Sequence, residues 1–364
     1  MSVAVVVGTR PEIIKMAPVI RELEARSVPF HFIHTGQHYD YEMSLRFVDE
    51  LGLPEPHYSF KLRSRRPASQ IGEMMGKLER VLRKLRAELL LIQGDTNTML
   101  AAALTGVKLG MKVGHVEAGL RSYDWRMPEE HNRRMVDHVS DYLFAPTERA
   151  RRNLLEEHVY GEVYVTGNTV VDAVLQHLPI AERRSSILRS LRFSEYALVT
   201  IHRAENVDNT AVLRNFIEAL LESPIPIVFP VHPRTAKRLR QYHFLNKLLS
   251  SEKIQLLPPL GYFDFLTLMK HCRIILTDSG GLQEEATVPC IRKPVLVLRL
   301  STERPEAVEA GFAKVVGVKK ASILRSLNEA LNKEVNLPQT SPFGDGRASQ
   351  RIVNIIREAL QRNS

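Results

Sequence analysis

The sequence predicts an α/β protein built from two doubly wound, Rossmann-like domains, and three observations carry that prediction. Short apolar runs alternate with segments of helical period along most of the chain. The runs fall into two series separated by a polar stretch at 182–195. The 364 residues also exceed what one hydrophobic core usually serves.

The first series comprises Val3–Val7, Phe30–His34, 89–92, 113–116, Tyr142–Ala145 and 163–166. These runs are largely apolar without strict alternation, as expected of parallel strands covered on both faces. Between them, Ile71, Met74, Leu78, Val81, Leu82 and Leu85 mark one apolar face of a helix that stops before the run at 89. The second series comprises 197–201, 227–231, Ile254–Leu257, Ile274–Thr277, 295–298 and 314–316. The expected join lies near Gly167-Asn168, which makes residues 1–168 one domain and 169–347 the other. A turn cluster, Pro342-Phe343-Gly344-Asp345-Gly346, precedes a final helix from about 348.

Charge and composition narrow the function classes. A formal net charge of +9 suits an anionic ligand. No basic run is interleaved with aromatic residues, so nucleic acid is not the expected partner. The clusters Arg63, Arg65, Arg66 and Arg80, Arg83, Lys84, Arg86 read as solvated faces. Cys272 and Cys290 lack metal-type spacing, and a reducing compartment fits them better than a disulfide framework. No apolar stretch approaches a membrane span, and Val3–Val7 is too short for a signal-peptide core. The expectation is a cytoplasmic chain with no membrane partner.

In open parallel sheets, ligands sit beyond the carboxyl ends of the strands, so the residues that follow each run carry the chemistry. After the first comes Gly8-Thr9-Arg10-Pro11-Glu12, with Lys15 close behind. Gly8 allows a tight turn, Pro11 suits a first helical turn, and two cations gather where the helix dipole disfavours them. The motif is not G-x-G-x-x-G, which argues against a dehydrogenase. Gln93-Gly94-Asp95-Thr96 follows the run at 89, and His115-Val116-Glu117-Ala118-Gly119-Leu120-Arg121 ends the next. Asp95 alone reads as a helix N-cap, but Glu117 beside it puts a second carboxylate on one edge. A third acidic site, Pro128-Glu129-Glu130, opens another helix.

The second series offers His202-Arg203 and His232-Pro233-Arg234 after its first two strands. Its sharpest signal is Thr277-Asp278-Ser279-Gly280-Gly281, where two glycines let backbone approach a phosphate and the Ser279 hydroxyl donates to it. Glu285 lies within reach of a ribose, and Thr302-Glu303-Arg304-Pro305-Glu306 adds a cation to the same edge.

Taken in order, these motifs resemble the non-hydrolysing UDP-N-acetylglucosamine 2-epimerases, a likeness running from Val3 to about Gly317. The resemblance implies a glycosyltransferase B type fold, with the active site in the interdomain cleft and the last helix, 348–364, packing back on the first domain. It implies interconversion of UDP-N-acetylglucosamine and UDP-N-acetylmannosamine by elimination of UDP to 2-acetamidoglucal, then re-addition. No cofactor and no metal are implied, and the family's usual state is a homodimer. By position, Asp95, Glu117, Glu129 and His202 would be the catalytic set. Arg10, Lys15, Phe265, Ser279, Gly280, Gly281, Glu285 and Arg304 would bind the UDP-sugar, with Phe265 by the uracil. Gln37 and His232 match residues that take part, in some members, in a regulatory site for an activating UDP-N-acetylglucosamine. The stretch after Gln37-His38, Tyr39-Asp40-Tyr41-Glu42, and the Leu300-Ser301 pair depart from some relatives.

The chemistry suits those residues. Elimination needs a base for the carbon-2 proton and a clamp for the departing diphosphate, and re-addition needs a proton on the opposite face. Rival readings are a hydrolysing epimerase, an epimerase of a diacetamido or uronic UDP-sugar, a glycosyltransferase of the same fold, and a non-catalytic nucleotide-sugar sensor.

Overall fold

The structure is a computed structural model that describes residues 2–37, 47–333 and 336–362. Two compact units divide the chain. The first combines Met1–Ala173 with Phe343–Ser364, and the second is Val174–Pro342.

The first unit is built on a seven-stranded parallel sheet. Its strands in chain order are β1 (Val3–Val7), β2 (Phe30–His34), β3 (Tyr58–Ser59), β4 (Leu89–Gln93), β5 (Lys112–Val116), β6 (Tyr142–Ala145) and β7 (Glu162–Val165). Across the sheet they run β3-β2-β1-β4-β5-β6-β7. The order reverses direction at the β1/β4 pair, whose register sets Val3 opposite Leu89. Every residue of β1, β4 and β6 is buried, which is why these strands read as apolar runs, broken only by Gln93 at the end of β4. The two-residue edge strand β3 had no signal in the sequence, because a strand of that length carries no periodicity.

One core layer of this unit packs Met74, Leu78 and Leu82 of the Pro67–Leu85 helix against Ala4, Val6, Leu90 and Ile92. The Ala348–Arg362 helix belongs to the same unit and packs against the Arg10–Ala25 helix. Asp172 caps its start, accepting from the amides of Ala348 (3.2 Å) and Ser349 (2.8 Å) and from the Ser349 hydroxyl (2.6 Å).

The second unit repeats the plan with six parallel strands: β8 (Ala197–Thr200), β9 (Ile227–Pro230), β10 (Ile254–Leu257), β11 (Ile274–Thr277), β12 (Val295–Val297) and β13 (Ala313–Val315). Their order is β10-β9-β8-β11-β12-β13, and the reversal falls at β8/β11. The α/β class with two doubly wound sheets is therefore the one the sequence predicts. Among the described residues no helix is long and apolar enough to cross a membrane.

Candidate active site

In the first unit, the turn after β1 meets the turn after β4. Gly8 is required there, because a Cβ on it would lie 2.0 Å from Thr98 Oγ1 and 2.3 Å from Thr35 Oγ1. Those hydroxyls contact each other at 2.8 Å. Thr98 also donates its amide (2.7 Å) and hydroxyl (2.8 Å) to Gln37 Oε1, which fixes that side chain at the start of the Asn97–Lys108 helix. The residues after Gln37 that depart from relatives lie outside the described residues.

Glu12 was not singled out by the sequence reading, although Thr9-x-x-Glu12 has capping-box spacing. It is buried and accepts from the amides of Gly8 (2.5 Å) and Thr9 (3.0 Å) and from the Thr96 hydroxyl. Burial pushes its carboxyl up to about 7, against the lowering effect of those three donors, and the neighbouring Asp95 charge adds to the rise. The folded value lies above the ordinary 4.5. Its contribution to stability is therefore full below that pH and is lost as pH rises through the folded value of about 7. Glutamine can keep the same contacts without the charge. We expect Glu12→Gln to gain stability relative to the parent by about 1–3 kcal/mol between pH 5 and 8, read by denaturant unfolding. Parallel pH curves for the two proteins would contradict this.

The expected acids take three different environments. Glu117 follows β5 with a left-handed backbone, φ 73°, held by its amide donating to Phe144 O at 3.1 Å. Its Oε2 receives Lys15 Nζ at 2.5 Å and Gln93 Nε2 at 2.6 Å, all in buried surroundings. Asp95 follows β4, and its Oδ2 accepts Arg133 Nε (3.1 Å) and Nη2 (2.7 Å). Glu129 sits half-buried in the first turn of the Pro128–Val139 helix and has no polar partner among the described residues. Arg10 places its guanidinium 4.6 Å from the centre of the Phe47 ring.

Behind these acids runs a network of ion pairs invisible to sequence reading. Arg133 binds buried Glu130 at 2.7 Å, and Arg134 joins Glu130 (3.3 Å) to Glu157 (2.6 Å). Arg121 joins Glu157 (2.6 Å) to Asp137 (2.7 Å). Asp137 meets His115 Nδ1 at 2.7 Å, and His115 Nε2 contacts Gly94 O at 2.9 Å. Burial alone would raise the Glu130 carboxyl, but the Ser122 amide and the Arg133 charge hold it below the ordinary range. Burial likewise opposes the ionised Asp137, and His115 and Arg121 outweigh it.

The corresponding edge of the second unit is organised by Asp278. Fully buried at the end of β11, it accepts the amides of His202 (3.0 Å) and Arg203 (2.9 Å) and the Asn206 amide group (3.0 Å). The His202 ring nitrogen Nδ1 lies 3.1 Å from it. Burial would raise this carboxyl, yet the His202 and Asn206 donors keep it below the ordinary range. His202 and His232 rings meet edge to face at 5.7 Å, and His232 caps the Pro233–Gln241 helix by accepting from Arg234 N at 3.2 Å.

Ser279 precedes the short Gly280–Glu285 helix, its amide held by Thr277 Oγ1 at 2.9 Å. Gly280 cannot take a side chain without disturbance, because a Cβ would sit 3.0 Å from Glu303 Oε1. Gly281 has open space around it. Arg304 is buried and binds Glu284 and the Glu303 carbonyl, while Glu303 also pairs with Arg203 at 3.1 Å. Glu285 is buried in the last turn of that helix, and Phe265 is half-buried in the Tyr262–His271 helix. Among the described residues no group of three or more His, Cys, Asp or Glu is arranged to hold a metal ion.

Comparison with known proteins follows the same line. A family model described as UDP-N-acetylglucosamine 2-epimerase matches residues 21–357. The UDP-N-acetylglucosamine 2-epimerase of Methanocaldococcus jannaschii is 46% identical, over 98% of this chain and 99% of that protein. A crystal structure of the Methanocaldococcus jannaschii UDP-GlcNAc 2-epimerase in complex with UDP-GlcNAc and UDP matches with a TM-score of 0.91 at 45% identity, covering 98% of this chain and 100% of that one. The UDP-2,3-diacetamido-2,3-dideoxy-D-glucuronate 2-epimerase of Pseudomonas aeruginosa is 35% identical over 98% and 99% of the two chains. The chain belongs to the UDP-N-acetylglucosamine 2-epimerase family.

Proposed function

We propose that the chain is an isomerase that interconverts UDP-N-acetylglucosamine and UDP-N-acetylmannosamine without net hydrolysis. The observation that carries this reading is that Asp95 and Glu117 follow adjacent strands of one sheet with cationic partners, while Glu129 opens the next helix with none among the described residues. A carboxylate takes the proton from carbon 2 as the bond from carbon 1 to the diphosphate oxygen breaks, giving 2-acetamidoglucal and UDP. The UDP oxygen then re-forms that bond while a proton reaches carbon 2 from the other face, so protons and electrons balance over the cycle. Two differently held acids suit that exchange better than one.

In this reading the second unit holds UDP. Ser279, Gly280 and Gly281 would cradle the diphosphate with His202 and Arg304, Glu285 would bind the ribose, and Phe265 would lie by the uracil. Arg10 and Lys15 would add positive charge for the substrate's anionic groups. Gln37 and His232 are assigned to a regulatory site for a second UDP-N-acetylglucosamine, a reading supported by a relative's structure that contains both UDP-GlcNAc and UDP. We also read the protein as a cytoplasmic homodimer, by analogy with the family.

The decisive measurement is solvent exchange. Incubation with UDP-N-acetylglucosamine in D₂O is expected to place deuterium at carbon 2 and to accumulate UDP-N-acetylmannosamine. Binding without exchange would leave a sensor or a transferase, and accumulation of free N-acetylmannosamine with UDP would make the enzyme hydrolysing. Turnover confined to a diacetamido uronic UDP-sugar would move the specificity to that of the Pseudomonas aeruginosa relative.

A further inference from the structure

One buried carboxylate ties the Ser279-Gly280-Gly281 turn of the second unit to His202. Asp278 directly precedes that turn, and its own amide donates to Thr200 O at the end of β8 at 3.3 Å. Its two oxygens then reach the residues that follow β8. Oδ2 accepts the amides of His202 and Arg203 and the Asn206 side chain, and Asn206 also donates to Leu298 O, just past β12, at 3.1 Å. The ends of β8, β11 and β12 are thereby pinned around one side chain that is 0% exposed.

Oδ1 serves the imidazole. It accepts the His202 amide at 3.1 Å and lies 3.1 Å from the ring nitrogen Nδ1. The donors around Asp278 hold it in its ionised form, and an ionised carboxylate can only accept. Nδ1 therefore carries the ring proton, because a bare Nδ1 would set lone pair against lone pair in a buried place. Nε2 is the nitrogen left over. It has no hydrogen-bond partner among the described residues, and 34% of the His202 side chain is exposed. The His232 ring stands edge to face with it at 5.7 Å and limits how the imidazole can turn. With Nδ1 already protonated, a proton on Nε2 makes the ring a cation, and an oxyanion selects that form.

We propose that Asp278 is a positioning residue for the epimerase reaction, acting through His202 by fixing the proton on Nδ1 so that Nε2 donates to the departing diphosphate. This inference rests on the reading of His202 as a diphosphate contact. As the bond from carbon 1 breaks, its electron pair moves onto the diphosphate oxygen, so the anion gains charge during elimination. A charge-assisted donor is worth more to that state than to the intact sugar nucleotide, and its loss falls on kcat more than on KM. Asparagine at 278 reverses the arrangement. Its carbonyl keeps the bonds made to Oδ2, its amide group faces Nδ1, and the ring becomes a neutral donor at Nε2 with Nδ1 bare.

Nitrogen-15 NMR of histidine-labelled, full-length enzyme and a double-mutant cycle test it, with kcat, KM and the thermal midpoint measured for each variant. The His202 signal is assigned by its loss in His202→Gln. Its Nδ1 is expected to be protonated in the parent and bare in Asp278→Asn. A bare Nδ1 in the parent overturns the proposal whatever the activities are. Asp278→Asn is expected to lower kcat by about 10–100-fold with KM within about threefold of the parent. In a His202→Gln background the same change should cost less than about threefold more, because the group it acts through is gone. A merely structural carboxylate would instead give additive losses that follow the thermal midpoint, and that result overturns the proposal. So does a near-normal kcat for Asp278→Asn beside a crippled His202→Gln. Near-normal turnover of His202→Gln itself would remove the reading of His202 as a diphosphate contact and this inference with it. Should Asp278→Asn fail to fold, the Nδ1 signal of the parent decides where the proton sits.

Discussion

Glutamine in place of Glu117 is expected to lower epimerase turnover by about 10²–10⁴-fold while the protein remains folded. The substitution is nearly isosteric, and one amide oxygen can still accept from Lys15 and Gln93, which meet the same Oε2 in the parent. The left-handed backbone at φ 73° is no more strained for glutamine than for glutamate. What disappears is the negative charge and the capacity to take a proton. Lys15 then faces a neutral group where the parent offers it a carboxylate. The check is an initial-rate comparison alongside thermal unfolding. An intact protein with parental turnover would take Glu117 out of the chemistry.

The second large effect is on stability and falls on Asp278. Alanine there leaves two backbone amides, the Asn206 side chain and the His202 ring without the acceptor they share. Since each abandoned buried donor costs roughly 1–3 kcal/mol, Asp278→Ala should destabilise the second unit by about 3–5 kcal/mol in denaturant unfolding. Asp278→Asn should lose much less. Its carbonyl oxygen can take the three bonds made to Oδ2, and its amide group can face His202 Nδ1, which can accept. Equal losses for the two variants would show that charge, not the number of acceptor sites, is what the turn requires.

The legible parts of this molecule and the hidden ones differ by range. The strands announced themselves because burial on both faces removes polar residues from short runs, as in β1 and β4. The positions of Asp95 and Glu117 were readable because a strand end is a topological address. Their partners were not. Arg133 lies 38 residues from Asp95, and Lys15 lies 102 residues from Glu117. An arginine in a helix of mixed polarity looks like any solvated arginine until the fold closes. Glu12 was obscured for a different reason. Its spacing from Thr9 has an ordinary local explanation, and only the folded burial shows how unusual its carboxyl is.

The sheet of the first unit is complete by residue 165, yet a helix some two hundred residues later still belongs to that unit. A ribosome delivers the chain from its amino end, so the stretch that covers the Arg10–Ala25 helix emerges only after the whole second unit has been made. Residues 174–342, being contiguous, can mature in a single pass. The first unit must wait with one flank of that helix uncovered, and Asp172 marks the place where the late arrival docks. Nascent-chain quality control would therefore meet the amino-terminal half in an unfinished state for longer than the half that follows it.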